Sequence, residues 1–223
     1  MIGDRPAERS RSSRPCRNGR FRKPAAALLA GMLAMGQVIF APRPAAGDTG
    51  PAEKTEVIDM GGRRVHTPSR VRRVVCLGPG SLRQICYLGA ADRVVGVEKM
   101  EKDFPEGRPY WLANPGLASL PVVGPGGPAG INAEPDLEAL LRVRPQVVFV
   151  SYMDPDRADA LERKIGIPVV VLTMGRFATF DVRVFDSLRA AGKVLKQEER
   201  AAEIVRYLRD VRGDLKARTA GDA

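Results

Sequence analysis

From Thr55 onward the chain changes character in blocks: short β-branched apolar runs, then stretches of helical spacing, then loops of glycine and proline. Residues 57–60 and 64–66 flank Gly61-Gly62, the layout of a short hairpin. Further runs follow at 71–77, 94–97, 121–123, 147–150 and 168–172, and the longer ones are almost wholly apolar. Strands read this way when helices cover both faces of their sheet, because neither set of alternating side chains then meets water. Between the runs, residues 81–88, 136–143 and 155–165 carry helical spacing, and Asp154 is placed to cap the last of them.

Strand and helix in alternation predict an α/β fold, a Rossmann-like, mostly parallel sheet flanked by helices. After Thr173 the chain reads as helix to its end. Phe185, Leu188 and Val194 mark one face of a helix from about residue 181, and a longer one over 197–218 repeats Ala201, Ile204, Val205, Leu208, Val211 and Leu215 at steps of three and four. Open parallel sheets take their ligands at the carboxyl ends of their strands, so the loops at 78–81, 124–127, 151–153 and 173–176 are where binding chemistry is expected.

Charge alters the picture only at the start of the chain. The formal net charge is +10, which raises the question of a nucleic-acid partner. Most of that excess sits in residues 1–47, where Arg5, Arg9, Arg11, Arg14, Arg17, Arg20, Arg22, Lys23 and Arg43 face only Asp4 and Glu8, leaving the rest close to neutral. No nucleic-acid partner is expected. The basic stretch ends at Arg22-Lys23 and gives way to an apolar run over 25–40, followed by Ala45-Ala46-Gly47. This is the layout of a secretory signal peptide, with a mature start near Asp48 and a periplasmic destination. The expected organisation is a signal peptide at 1–47, a linker at 48–54, an α/β lobe at 55–180, a helical segment at 181–218 and a tail at 219–223. Export would place Cys76 and Cys86 where a disulfide can form, but their positions on a buried strand and a core-facing helix read better as two buried thiols.

Catalytic chemistry is not supported. His66 is the only histidine and sits in the early hairpin with no Cys, Asp or Glu at metal-ligand spacing. No Ser-His-Asp or Cys-His set can be assembled around it, so neither an enzyme nor a bound cofactor is expected. Leu77-Gly78-Pro79-Gly80-Ser81 joins a strand to a helix, and its glycines let backbone approach a ligand. It is neither a dinucleotide fingerprint nor a phosphate-binding loop. A small nucleotide-binding domain or enzyme using this loop stays as the alternative, with Glu98, after the second parallel strand, as its one acidic residue for a ribose. Val123-Gly124-Pro125-Gly126-Gly127-Pro128 is a second such turn. Arg108, Tyr110 and Trp111 form the chain's basic and aromatic cluster, which either stacks on a flat oxygen-rich chelate or covers the sheet.

Taken together, the segments resemble the class III periplasmic binding proteins, the family of ferric-siderophore, haem and cobalamin binders. The resemblance is carried by Val57-Ile58-Asp59-Met60-Gly61-Gly62-Arg63, by Gly78-Pro79-Gly80-Ser81-Leu82, by Leu88-Gly89-Ala90-Ala91-Asp92-Arg93-Val94-Val95-Gly96-Val97, by Asp136-Leu137-Glu138-Ala139-Leu140-Leu141 with Arg144-Pro145-Gln146-Val147-Val148, and by Ile165-Gly166-Ile167-Pro168-Val169-Val170. It implies two α/β lobes joined by a long helix, of which the chain supplies the first lobe and that helix, so that ligand retention is expected to be weak. It also implies that Gly80, Ser81, Tyr110, Trp111, Gly124, Gly126, Ser151, Tyr152 and Met174 line the cleft, with Arg108 beside them. Glu138 falls where the family carries a carboxylate that pairs with an arginine of the membrane permease. The implied partners are a metal chelate, a ferric siderophore ahead of haem or cobalamin because of Arg108 with Tyr110 and Trp111, and the permease of an ABC importer in the inner membrane, met by a monomer.

Overall fold

The structure, a computed structural model, describes residues 53–127, 131, 134–173 and 182–220. The expected signal peptide, most of the linker, Pro128 and Met174 lie outside these residues. Strands β1 (Lys54–Ile58) and β2 (Arg64–Pro68) form an antiparallel hairpin in which Thr55 faces Thr67 and Val57 faces Val65. Alternation sends Thr55, Val57, Val65 and Thr67 inward and leaves Glu56, Ile58, Arg64 and His66 exposed. The pairing starts three residues earlier than the apolar run implies, because polar Lys54 and Glu56 occupy the solvent face of a half-buried strand.

Five parallel strands make the main sheet: β3 (Val74–Leu77), β4 (Val94–Glu98), β5 (Val122–Gly124), β6 (Val147–Ser151) and β7 (Val169–Thr173), in spatial order β5-β4-β3-β6-β7. Strand order therefore reverses between β3 and β6, the neighbours at the centre. Period two divides β6 between two cores. Val147 and Phe149 join a layer with α1 (Ser81–Tyr87), α6 (Val184–Leu195) and the start of α7 (Glu198–Thr219), while Val148 and Val150 join one with α4 (Leu137–Arg142) and α5 (Pro155–Ile165). The expected α/β sheet covered on both faces is what the structure shows.

Helix ends follow from local chemistry. Pro155 opens α5 and Gly166 closes it at φ +67°, a conformation glycine enters without steric cost. Asp154 sits at its N-cap position without accepting a side-chain cap bond; the capping carboxylate is instead Asp136, which accepts from the Ala139 N–H at 2.9 Å at the start of α4. Asp136 is thus a cap rather than mere surface charge. Two short helices, α2 (Lys99–Asp103) and α3 (Pro109–Leu112), have too few residues to show a period. On α7, Ala201, Ile204 and Val205 are buried, but Val211 and Leu215 are exposed. Periodicity identifies the apolar face but not where its partner ends, and a 22-residue helix runs about 33 Å, longer than the 12-residue α6 it packs on.

The outer edge of β7 is closed by the hairpin turn. Asp59 accepts from the Gly61 and Arg63 N–H groups at 2.9 and 3.0 Å, and its other oxygen accepts from the Val171 N–H and from Arg63 Nη1, each at 3.1 Å. The Met60 N–H donates to the Val171 carbonyl at 2.9 Å. Arg63 also reaches the Val169 carbonyl, Asp159 and Glu162 at 2.9, 2.7 and 2.8 Å. Burial alone would lower the pKa of Arg63, but the hydrogen bond to Asp159 and the charges of Asp59 and Asp159 raise it overall. Backbone groups that an edge strand would leave open are satisfied within the lobe.

Candidate functional site

The carboxyl ends of β3, β4, β5 and β6 meet around one small, open depression, lined by Leu77, Gly78, Glu98, Gly124, Pro125, Glu134, Pro135, Val150, Ser151 and Met153. It lies at the point where strand order reverses, the place an open α/β sheet offers a ligand. The loops after β3, β5 and β6, expected to share one rim, do so.

Each turn is shaped by a close approach. Gly78 has φ +81°, and a Cβ there would lie 2.5 Å from the Ser151 carbonyl oxygen, so only glycine lets these adjacent turns touch. Gly126, at φ +73°, packs against Glu98, where an added Cβ would come within 2.7 Å of the glutamate Cβ. Tyr152 adopts φ +61°, and its N–H donates to the Thr173 carbonyl at 2.6 Å. Beneath the rim, buried Gln84 donates to Thr173 Oγ1 at 3.2 Å and accepts from the Ser187 hydroxyl at 2.5 Å, tying α1 to β7 and α6.

Glu98 is the group that the sequence reading undervalued. It closes β4, is 7% exposed, and accepts from the Gly78 N–H through Oε1 at 2.9 Å. The Gly78 N–H, in the turn whose backbone is expected to approach a ligand, is thus already given to Oε1 of a carboxylate of the chain. Burial pushes the pKa of Glu98 up to about 7, the Gly78 N–H opposing and the nearby Glu101 adding to the rise. A signal existed, since an acidic residue directly following an apolar strand between two glycine-rich turns must enter the rim.

The raised pKa has a defined sign. Folding is favoured by the protonated Glu98 below its ordinary value of about 4.5, and that contribution is lost as pH rises through about 7. The difference amounts to about 3 kcal/mol. Urea melts across this range should show the unaltered chain losing about that much stability relative to Glu98→Gln. A difference between the two proteins that does not change with pH would contradict this account.

The other expected site residues fall into two groups. Gly124 and Ser151 line the cavity, Gly126 walls it through Glu98, and Gly80 stands at the start of α1 with φ +82°. Ser81, Trp111, Arg108, Tyr110 and Glu138 are engaged elsewhere. Ser81 is fully buried, and its hydroxyl bonds back to the Leu77 and Gly78 carbonyls at 3.0 and 2.9 Å. Trp111 is 6% exposed and packs in the core layer with Val97 and Leu117, so it covers the sheet rather than stacking on a ligand. Arg108 donates to the Met100 and Phe104 carbonyls and lies 3.5 Å from Glu101, to which the Tyr110 hydroxyl also donates at 2.9 Å. Burial foremost, then Glu101, raises the Tyr110 phenol. Arg108 and Tyr110 thus clamp α2 to α3. Glu138 is exposed on α4 and paired with Arg142 one turn on.

Cys76 and Cys86 are both free thiols. Burial holds Cys76 well above the usual thiol range and pushes Cys86 up to about 12, so neither is a nucleophile. Among the described residues, no group of three His, Cys, Asp or Glu side chains is arranged to hold a metal ion.

The periplasmic binding protein family matches residues 74–222, from the first parallel strand through the last helix. The chain belongs to that family. Periplasmic binding proteins are the solute-binding components of ABC transporters and are not enzymes. Solved structures show the same fold. A periplasmic solute binding protein of Veillonella parvula is 21% identical with a TM-score of 0.62, the alignment covering 75% of this chain and 49% of that one. The molybdate periplasmic binding protein MolA of Haemophilus influenzae, solved with molybdate bound, is 23% identical with a TM-score of 0.60, covering 74% and 54%. The petrobactin-binding protein YclQ of Bacillus subtilis is 21% identical with a TM-score of 0.57, covering 74% and 53%. No curated protein matches. The chain spans about half the length of the solved structures it matches.

Proposed function

We propose that the chain is the substrate-binding component of an ABC importer, exported to the periplasm by residues 1–47, and that it binds a metal chelate and delivers it to a membrane permease. One observation supports this above the others: the turns after β3, β5 and β6 converge on one cavity at the reversal of strand order. Apolar walls from Leu77, Val150 and Met153, with a few polar groups among them, suit one rim of a surface that a ligand lies against, oriented by few hydrogen bonds. Gly80, Gly124, Gly126, Ser151, Tyr152 and Met174 are the residues we assign to its contact. The reason for ranking ferric siderophores first was the Arg108, Tyr110 and Trp111 cluster, and those side chains are spent within the lobe. Ferric siderophores, haem and cobalamin therefore stand together as the classes to titrate. Binding of one supports the reading; binding of none removes it.

Glu138 is proposed as the permease contact. Its exposure and its position at the start of α4 leave the carboxylate on the surface, where the pair with Arg142 can exchange for a partner's arginine. A Glu138→Ala variant should bind its permease about tenfold more weakly with ligand affinity unchanged. Normal docking by that variant would refute the assignment.

A further inference from the structure

Resting on the ligand-binding reading of the cavity, we infer that Glu98 sets the charge of what enters: a neutral or cationic chelate offering a hydrogen-bond donor, in preference to an anionic one. The carboxyl has one oxygen committed and one open. Oε1 holds the Gly78 N–H, whereas among the described residues no donor reaches Oε2. No buried side-chain oxygen of the described residues lacks a partner, so Oε2 keeps access to the cavity that Glu98 lines. The carboxyl cannot withdraw, because Gly126 packs against both its Cβ and Oε2.

Among the described residues, the rest of the wall offers nothing to balance a negative ligand: the ionisable ones are Glu98 and Glu134, and no lysine, arginine or histidine is among them. Lys164, the cation beside Glu134, is paired with it. With Glu98 ionised, above about pH 7, an oxyanion placed here meets an acceptor with no donor to match, and in a partly desolvated site that mismatch is costly. An amide N–H, ammonium or hydroxyl instead gives Oε2 the partner it lacks. The pocket is therefore the opposite in sign of one built for an anion such as the molybdate carried by the Haemophilus relative.

Three probes separate the cases: ferrioxamine B, a cationic chelate with amide and ammonium donors; ferric enterobactin, an anionic one; and molybdate. Calorimetric titration of the unaltered chain should show ferrioxamine B bound at least about tenfold more tightly than either anion, and Glu98→Gln should narrow that preference by about tenfold. The same titrations over a pH series on the unaltered chain give a readout that does not depend on the variant folding. Cys76 on β3, Glu101 on α2 and Glu134 after β5 are the other titratable groups around Glu98, and the preference should grow as pH rises and Glu98 ionises. Anions bound as tightly as ferrioxamine B, or a preference unmoved by both Glu98→Gln and pH, would overturn the inference and leave the binding reading standing. If neither protein binds any probe, the inference and the cavity reading fall together.

Discussion

Asp59→Ala is expected to be the most damaging single substitution in the lobe, lowering the free energy of unfolding by about 4 kcal/mol. Asp59 is 4% exposed and serves four donors: the Gly61, Arg63 and Val171 N–H groups and the Arg63 guanidinium. Its loss leaves a β7 edge amide buried without an acceptor and removes one of the carboxylates that hold Arg63 in place. Each orphaned buried donor costs about 1–3 kcal/mol, so two or three of them reach the stated sum even if water repairs one. Arg63→Met tests the same joint from the other side and should cost about 3 kcal/mol, because it strands the Asp59 carboxylate. Urea denaturation measures both, and losses under about 1 kcal/mol would show that the hairpin is not what seals the β7 edge.

Gly78→Ala is expected to cost about 3 kcal/mol and to deform the cavity as well. The positive φ disfavours any L side chain by about 1–2 kcal/mol. The new methyl carbon must also displace the Ser151 carbonyl, which it would otherwise approach to 2.5 Å. Separating the two turns pulls the Gly78 N–H from Glu98 and opens the floor of the site. Chelate affinity should therefore fall even in the fraction that folds. A control is Gly62→Ala, also at positive φ but with open space around it, which should show the conformational cost alone. Equal effects of the two substitutions would mean that the contact with Ser151 has no role.

The sheet was legible because its strands announce themselves twice, by β-branched apolar runs and by the glycine and proline turns that end them. Helix α5 was legible to the residue, since Pro155 and Gly166 punctuate both ends. What local pattern cannot carry is partnership across the chain. Arg63 lies 96 and 99 residues from Asp159 and Glu162, and nothing near the hairpin signals that its guanidinium will be consumed by them. Arg108, Tyr110 and Trp111 pointed to stacking because their composition suits it, yet the indole is buried in the core layer and the polar atoms satisfy α2 and α3. Of the candidate site, the glycine turns were readable because their role depends on backbone. Side chains such as Ser81 misled because a hydroxyl in a tight turn can satisfy the turn itself.

Everything functional here depends on the rim cavity being the surface a solute touches. Amide hydrogen exchange with and without a bound chelate from the titration panel tests this directly. Exchange should slow in the turns around Gly78, Gly124 and Ser151, with the β1–β2 hairpin unchanged. Protection confined to the hairpin or to the exposed end of α7, with those three turns unaffected, would contradict it.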